Sequence, residues 1–257
     1  MFAGMPARTP NPQDPDEDVV GFAWPAWRVE RVVETGSTNA DALAAARAGA
    51  PEGLVIMADH QTAGRGRLGR SWEDEPGDSL IVSVLLRPPL APTQLHRLTQ
   101  AVALAAKDAC SSVGGFRPDL KWPNDLVVGE RKLAGILAES IVEDGRVGAV
   151  VVGMGLNVRA APEGAIGAVE AAGRRVDRFA LLAAFLAALR PLDLATVTSR
   201  YHAELSTLGQ MVRVQTPGGV VEGFARDVAD DGQLIVAVGD DTVAINTGDV
   251  VHLRRVT

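Results

Sequence analysis

A segment between two apolar runs, QTAGRGRLGRSW at residues 61–72, alternates glycine with arginine. The alternating residues are Gly64, Arg65, Gly66, Arg67, Gly69 and Arg70. Glycine lets backbone N–H groups approach an anion closely, and an arginine fork binds phosphate or carboxylate through two hydrogen bonds. The pattern is typical of an anion-binding loop, although taken alone it also fits a solvated turn. A repetitive RNA-binding tail is disfavoured, because the pattern occurs once and inside the chain.

Lysine is rare in this chain, and two of its lysines stand close together. Of 25 Lys and Arg residues only Lys107, Lys121 and Lys132 are lysine. Lys132 begins the apolar run LAGILAES, where an ammonium group is normally excluded unless it meets an anion. A lysine whose head reaches solvent from the strand end is the alternative. Lys121 begins KWPND, a predicted type I turn with Pro123 at its second position.

Two further motifs carry small polar residues or glycines. GSTN at residues 36–39 offers small polar side chains at a predicted helix start, either as a plain cap or as a site for a neutral polar group. GMGLNV at residues 153–158 resembles part of a dinucleotide-binding motif but lacks the third glycine and the helix. We expect its glycines to let another group pack closely. Trp72 is predicted either to stack on a base or to be an exposed loop residue without a role.

Composition excludes several classes of function. The chain of 257 residues has a net charge of −7 at pH 7 and a pI near 5.2, which argues against a general nucleic-acid binder. The single cysteine, Cys110, excludes an intrachain disulfide framework and favours the cytosol. No apolar run reaches the roughly 20 residues needed to cross a bilayer. The sequence carries no metal-ligand or nucleophile motif, which leaves chemistry by positioning and charge.

Strands and helices must position these residues. Apolar patterns predict strands in WRVERVVETGST, GLVIMADHQ and SLIVSVLLRP, three or four more strands across residues 118–158, and helices in NADALAAARAGA and APTQLHRLTQAVALAAKDAC. Thr38 and Asp41 resemble a capping box, and Thr93 is a candidate N-cap of the second helix. A further helical stretch is expected over about residues 178–208.

The C-terminal part has a different pattern. From Gly209, five short alternating strands are separated by turns at PGG, DDG, GDD and TGD, which predicts a small β-barrel. The expected fold class is therefore α+β, a mixed β-sheet with flanking helices followed by that barrel. The predicted boundaries are a disordered N-terminal tail over residues 1–24, the mixed body over 25–206 and the C-terminal domain over 207–257.

Taken in order, GSTN, QTAGRGRLGRSW, KWPND, KLAGIL and GMGLNV resemble the motifs of the biotin protein ligases, also called biotin–[acetyl-CoA-carboxylase] ligases. The resemblance covers about residues 30–257. It implies a biotin/lipoate ligase-like catalytic domain that binds biotin and ATP, and an SH3-like C-terminal domain. Enzymes of this family activate biotin with MgATP to biotinyl-5′-AMP and release pyrophosphate. They then transfer biotin to one lysine of a biotin carboxyl carrier domain of an acyl-CoA carboxylase.

The resemblance also implies roles for individual residues. Biotin would contact Ser37, Thr38, Asn39, Gln61, Gly64, Arg65, Gly66, Arg67, Lys132 and Gly135. ATP would contact Arg65, Arg67, Arg70, Trp72, Lys121, Asn124, Asp125, Lys132 and Asn157. Lys132, Arg65 and Arg67 would be catalytic, because they offset the repulsion between the carboxylate of biotin and the α-phosphate. No metal site is expected from the protein alone, and Mg²⁺ would arrive with ATP near Asp125.

The expected partners are biotin, ATP and the carrier domain, with no DNA and no membrane, for a cytoplasmic monomer or weak homodimer. Some family members carry a DNA-binding winged helix, whereas only 36 residues precede Ser37 here, so we expect the monofunctional form. One alternative is a lipoate or octanoate transferase, which shares the catalytic fold but typically shows a GGG triplet that this chain lacks. Another is a non-catalytic ligand- or RNA-binding module.

Overall fold

The computed structural model describes residues 23–253. The larger sheet contains β1 (Arg28–Thr35), β2 (Leu54–Gln61), β3 (Ser79–Leu86), β4 (Asp119–Lys121), β5 (Asp125–Val128), β6 (Arg131–Glu143) and β7 (Arg146–Asn157). The helices are α1 (Thr38–Arg47), α2 (His96–Ala109), α3 (Ala168–Ala172), α4 (Arg178–Leu189) and α5 (Val197–Glu204). The strand order is β1-β2-β3-β7-β6-β5-β4. The predicted α+β class with a mixed sheet is confirmed.

The strand β3 is an interior strand of this sheet, between β2 and β7. All eight of its residues, SLIVSVLL, are buried, and it pairs antiparallel with β2 and with β7. A strand covered on both faces has an almost continuous apolar sequence, so the hydroxyl of Ser83 in its middle is unusual. β1 runs parallel to β2, and α1 connects them as in a βαβ unit.

Helices cover both faces of the sheet. On one face, α1 buries Ala42, Leu43 and Ala46 against the sheet, where they meet Leu85 and Val151. On the other face, α2 and α4 contribute to the larger core. Because side chains alternate between the faces of a strand, Ser83 and Leu85 of β3 point to the α1 side. The start of α1 is thereby held against the middle of β3.

The C-terminal sheet consists of β8 (Met211–Thr216), β9 (Gly219–Val228), β10 (Leu234–Val238), β11 (Asp241–Ile245) and β12 (Asp249–His252). All five predicted strands are present, in the antiparallel order β11-β10-β9-β8-β12. Within residues 23–253, β11 and β12 are not paired with each other, so closure into a barrel is not confirmed. The indole N–H of Trp122 donates to the Gly232 carbonyl at 3.0 Å and joins this sheet to the larger one.

An ion cluster fixes α5 to α2. Glu204 accepts hydrogen bonds from Arg117 at 2.9 Å and Arg200 at 3.0 Å, and lies 3.2 Å from the ammonium group of the buried Lys107. Burial raises the pKa of Glu204, but hydrogen bonds from the three basic side chains outweigh it and lower the pKa to about 2. The cluster therefore stabilises the fold most where Glu204 is ionised.

Several local predictions need correction. Asp41 is not part of a capping box, because its carboxylate accepts the Thr35 hydroxyl at 2.6 Å. Thr93 does not cap α2, since it lies in a preceding 3₁₀ turn, Pro92–Gln94. The helical stretch over 178–208 is two helices, separated around Pro191, whose ring is incompatible with a continuous helix. The short α3 was not predicted.

The predicted N-terminal tail is described only at its end. Residues 1–22 lie outside the described residues. Trp24, assigned to the tail, is buried in the larger core, and its indole N–H donates to the Leu192 carbonyl at 2.8 Å. Burial of a tryptophan ties the chain down at this point, so residue 24 packs with the domain. None of the helices within residues 23–253 is both long and apolar enough to span a membrane.

Candidate functional site

One cleft on the α1 side of the larger sheet gathers most of the predicted site residues. About 720 Å³ of space, part of it open solvent, lies between its walls. The predicted residues that line it are Ser37, Thr38, Asn39, Gln61, Arg65, Gly66, Arg67, Arg70, Trp72, Asn124, Asp125, Lys132 and Gly135. Gly64, Lys121 and Asn157 are predicted residues that do not line it.

The polar end of the cleft is built at the start of α1. Ser37 is the N-cap residue, but its side chain makes no capping hydrogen bond, so the plain-cap interpretation of GSTN is wrong. The backbone N–H of Thr38 donates to Gln61 Oε1 at 2.8 Å, and the Thr38 hydroxyl lies 3.1 Å from the same oxygen. Gln61, at the end of β2, thus replaces a local cap. This end presents neutral polar groups to a ligand.

Two residues that the sequence did not single out organise this polar end. Ser83 Oγ lies 2.7 Å from Thr38 Oγ1 and 2.6 Å from Asn39 Oδ1. The carboxylate of Glu139 accepts a hydrogen bond from Asn39 Nδ2 at 2.8 Å and one from Arg65 at 3.1 Å. A hydroxyl inside the apolar run of β3 was the only sequence signal for Ser83. Glu139 directly follows KLAGILA and carried no signal of its own.

The glycines of GMGLNV make room for two side chains of the site. A Cβ on Gly153 would lie 2.1 Å from Asn39 Oδ1, and a Cβ on Gly155 would lie 2.4 Å from the Trp72 ring. The prediction that these glycines permit close packing is therefore confirmed. Trp72 is partly buried against Gly155, which excludes the alternative of an exposed loop residue. Its indole Nε1 is buried and has no hydrogen-bond partner among the described residues.

Four basic side chains line the cleft, and each faces a protein acceptor. Lys132 Nζ lies 2.7 Å from Asp125 Oδ1. Arg67 donates to Asn124 Oδ1 at 3.2 Å, and burial lowers the pKa of its guanidinium, partly offset by Asp125. Arginine nevertheless stays charged. Because Lys132 is about two-fifths exposed on the cleft, an anionic ligand could compete with Asp125 for its ammonium group.

The C-terminal sheet contributes directly to this end of the cleft. Arg67 Nη2 donates to the hydroxyl of Thr247 at 2.5 Å, and Arg70 forms an ion pair with Asp249. Asp249 also lines the cleft. These contacts connect the glycine–arginine loop to the C-terminal sheet, while Arg65 and residues 68–71 remain exposed to solvent.

Three predicted residues occupy supporting positions. A Cβ on Gly64 would lie 2.5 Å from the Trp72 carbonyl, so glycine is needed for the loop to fold back on itself. Lys121 is half-buried beside the cleft; burial lowers the pKa of its amine, and the Asp125 charge opposes this. Asn157 is buried and donates to the Lys132 carbonyl at 3.4 Å. It supports the backbone of Lys132 from outside the cleft.

A metal held by the protein alone has no preformed position among the described residues. No group of three or more His, Cys, Asp or Glu side chains within residues 23–253 is arranged to hold an ion. Asp125 offers one carboxylate to the cleft, and magnesium that arrives with a nucleotide commonly takes only one or two protein ligands. The donor set therefore fits a metal delivered with phosphates.

Comparison with known proteins agrees with this geometry. Residues 34–157 match the biotin/lipoate A/B protein ligase family, and residues 207–253 match the biotin protein ligase C-terminal domain. The biotin–[acetyl-CoA-carboxylase] ligase of Mycobacterium tuberculosis is 41% identical over 248 residues, which span 89% of this chain and 90% of that protein. The chain belongs to the biotin protein ligase family.

Other members of the biotin protein ligase family align over most of the chain. The bifunctional ligase/repressor BirA of Bacillus subtilis is 31% identical over 83% of this chain and 70% of its own length. The fold is shared with biotin protein ligase from Aquifex aeolicus in complex with biotin and ATP, with a TM-score of 0.71, 24% identity, and coverage of 88% and 98% of the two chains. The predicted family fold is confirmed.

Proposed function

We propose that this protein is an ATP-dependent biotin protein ligase. It activates biotin to biotinyl-5′-AMP, releases pyrophosphate, and transfers the biotinyl group to a lysine of a biotin carboxyl carrier domain of an acyl-CoA carboxylase. Membership of the family supports the reaction class. The observation that carries the proposal is one cleft lined by neutral polar groups, by Lys132 and the loop arginines, and by the aromatic ring of Trp72.

The basic side chains suit the first step. A carboxylate oxygen of biotin attacks the α-phosphorus of ATP, and the bond from that phosphorus to pyrophosphate breaks. Both reactants are anions, so positive charge must reduce their repulsion and stabilise the charge that develops in the transition state. Lys132, Arg65 and Arg67 supply this charge. Lys132 would exchange Asp125 for the carboxylate of biotin and the α-phosphate.

Magnesium would be supplied together with ATP. Its chemistry in this step would be to stabilise the charge on the departing pyrophosphate. Asp125 would hold it with one carboxylate, since phosphate oxygens and water complete the shell of a nucleotide-bound magnesium. Release of Asp125 from Lys132 would free that carboxylate at the stage when the nucleotide binds.

The loop over residues 64–70 would protect the intermediate. An acyl-adenylate is a mixed anhydride, so water must be kept away until the acceptor lysine arrives. In the second step the lysine amine attacks the biotinyl carbonyl carbon, the bond to AMP breaks, and the amine loses a proton to give an amide. Thr247 and Asp249 would help to hold the loop over the cleft.

The partner, location and domain boundaries follow from the same proposal. The macromolecular partner is a carboxyl carrier domain, without DNA, and the protein is a cytoplasmic monomer or weak homodimer. A single buried cysteine, Cys110, supports a reducing compartment. Residues 25–206 would form the catalytic domain and residues 207–257 the SH3-like domain.

Incubation with MgATP and either biotin or lipoate tests the proposal. Mass spectrometry is expected to detect biotinyl-AMP with biotin and much less adenylate with lipoate. A larger lipoyl-AMP signal would favour a lipoate-type enzyme. Absence of both adenylates would leave only a non-catalytic binding module and would refute the ligase.

A further inference from the structure

A buried hydroxyl beneath the polar end of the cleft connects two of its lining side chains. Ser83 is 0% exposed and does not itself line the cleft. Its Oγ lies 2.7 Å from Thr38 Oγ1 and 2.6 Å from Asn39 Oδ1. Ser83 can therefore influence a ligand only through the hydrogen atoms that it gives to, or takes from, these two neighbours.

The orientation of the Asn39 amide is fixed by its two other partners. Its Nδ2 donates to the Glu139 carboxylate at 2.8 Å and to the Leu137 carbonyl at 3.2 Å. Both partners are acceptors only, and an amide nitrogen has two hydrogens, so both hydrogens are used. Asn39 Oδ1 must then face Ser83 and accept its hydrogen.

The remaining hydroxyl proton can be assigned by counting. Ser83 gives its only proton to Asn39, so the 2.7 Å contact with Thr38 requires the Thr38 proton. Thr38 then has no proton for Gln61 Oε1, the more distant acceptor at 3.1 Å, which already receives the Thr38 backbone N–H. Lone pairs of Thr38 Oγ1 and Gln61 Oε1 are left for the cleft, and the Thr38 proton is directed away from it.

We propose that Ser83 is a positioning residue that makes this end of the cleft select ligands with N–H donors. The inference rests on the proposed function, because the cyclic urea of biotin carries two N–H groups and the dithiolane ring of lipoate carries none. A head group without donors leaves buried acceptors unpaired, which is unfavourable. Such sites reject analogues that lack the matching group. Ser83 thus contributes to the choice of biotin over lipoate without touching either.

A pair of ligands tests this assignment. The two cyclic carbamate analogues of biotin each carry a ring oxygen in place of one ureido N–H. We expect the wild-type protein to prefer biotin over at least one carbamate by about 10- to 100-fold in kcat/KM for adenylate formation. In Ser83→Ala the Thr38 hydroxyl loses that acceptor, so its proton can turn to Gln61 Oε1 at 3.1 Å or to the carbamate oxygen, and the Thr38 and Gln61 oxygens are no longer both reserved for N–H donors of a ligand. The preference should fall by about tenfold, mainly through KM, because Ser83 is remote from the reacting atoms.

Ser79→Ala is the matched control. Ser79 is a second buried serine of β3 that does not line the cleft, and its replacement should keep the wild-type preference. The ratio of two kcat/KM values from one preparation does not depend on the folded fraction, so it remains meaningful if Ser83→Ala is less stable. A wild-type preference in Ser83→Ala, or equal loss in Ser79→Ala, would overturn the inference alone. Failure of the wild-type protein to form biotinyl-AMP would overturn the proposed function as well.

Discussion

Gly153 is the position where one added methyl group would damage the polar end of the cleft most directly. A Cβ there would lie 2.1 Å from Asn39 Oδ1 and 2.8 Å from its Cγ, so in Gly153→Ala the Asn39 side chain must move. That side chain makes hydrogen bonds with Ser83, Glu139 and Leu137. The substitution therefore tests whether this network supports both the fold and the site.

The magnitude follows from these contacts. Three hydrogen bonds at about 1 kcal/mol each amount to roughly 3 kcal/mol of unfolding free energy. Replacing a strand glycine by alanine stabilises the fold by ~0.5–1 kcal/mol. The net decrease in unfolding free energy is therefore about 2 kcal/mol. If the displaced Asn39 side chain also weakens binding of the biotin head group by about 2 kcal/mol, the KM for biotin rises by roughly 30-fold.

The control lies on the same strand. A Cβ on Gly148 would lie 3.7 Å from the Ile141 carbonyl, an ordinary contact, so Gly148→Ala should not be destabilising. Urea unfolding and the biotin KM of pyrophosphate release would be measured for both variants. If Gly153→Ala matched Gly148→Ala in stability and KM, the assigned role of Asn39 would be refuted.

Three other outcomes are expected. Lys132→Ala should slow pyrophosphate release at saturating biotin and ATP by about 100-fold or more; a near wild-type rate would remove Lys132 from catalysis. Asp249→Asn should change stability by less than about 1 kcal/mol, because its ion pair with Arg70 is largely exposed. It should nevertheless speed tryptic cleavage of the ligand-free loop over residues 64–70. Unchanged cleavage would argue against a role of Asp249 in holding that loop. Glu204, with a pKa of about 2 instead of its ordinary 4.5, stabilises the fold above pH 4.5 and loses this effect as pH falls toward 2. Glu204→Gln should therefore be less stable than wild type in urea at pH 7, with a difference that shrinks below pH 4.5; a constant difference would contradict the assignment.

Residues whose type was unusual for their position could be predicted from sequence. Lys132 stood out at the start of an apolar run in a lysine-poor chain, and the structure places it in the cleft. GMGLNV lacks the third glycine and the helix of a dinucleotide-binding motif, so its glycines were predicted to allow close packing instead. Asn39 and Trp72 are the groups that pack there. The resemblance to the family added which ligands these residues would meet.

The residues that were missed depend on contacts distant in sequence. Asn39 and Glu139 are 100 residues apart, and burial of β3 could be predicted without knowing that the Ser83 hydroxyl faces α1. The capping box failed for the same reason, because Gln61 and Thr35 offered better partners to Thr38 and Asp41 than the local backbone did. Likewise, the alternation of apolar and polar residues does not specify which strands of the C-terminal sheet pair with each other.

The central claim is that Lys132 and the loop arginines join biotin to ATP for transfer to a protein. It is tested most directly by the intact mass of a biotin carboxyl carrier domain after incubation with this protein, biotin and MgATP. The account predicts addition of one biotinyl group that requires ATP and that Lys132→Met abolishes. An unmodified carrier domain, or equal modification by Lys132→Met, would contradict it.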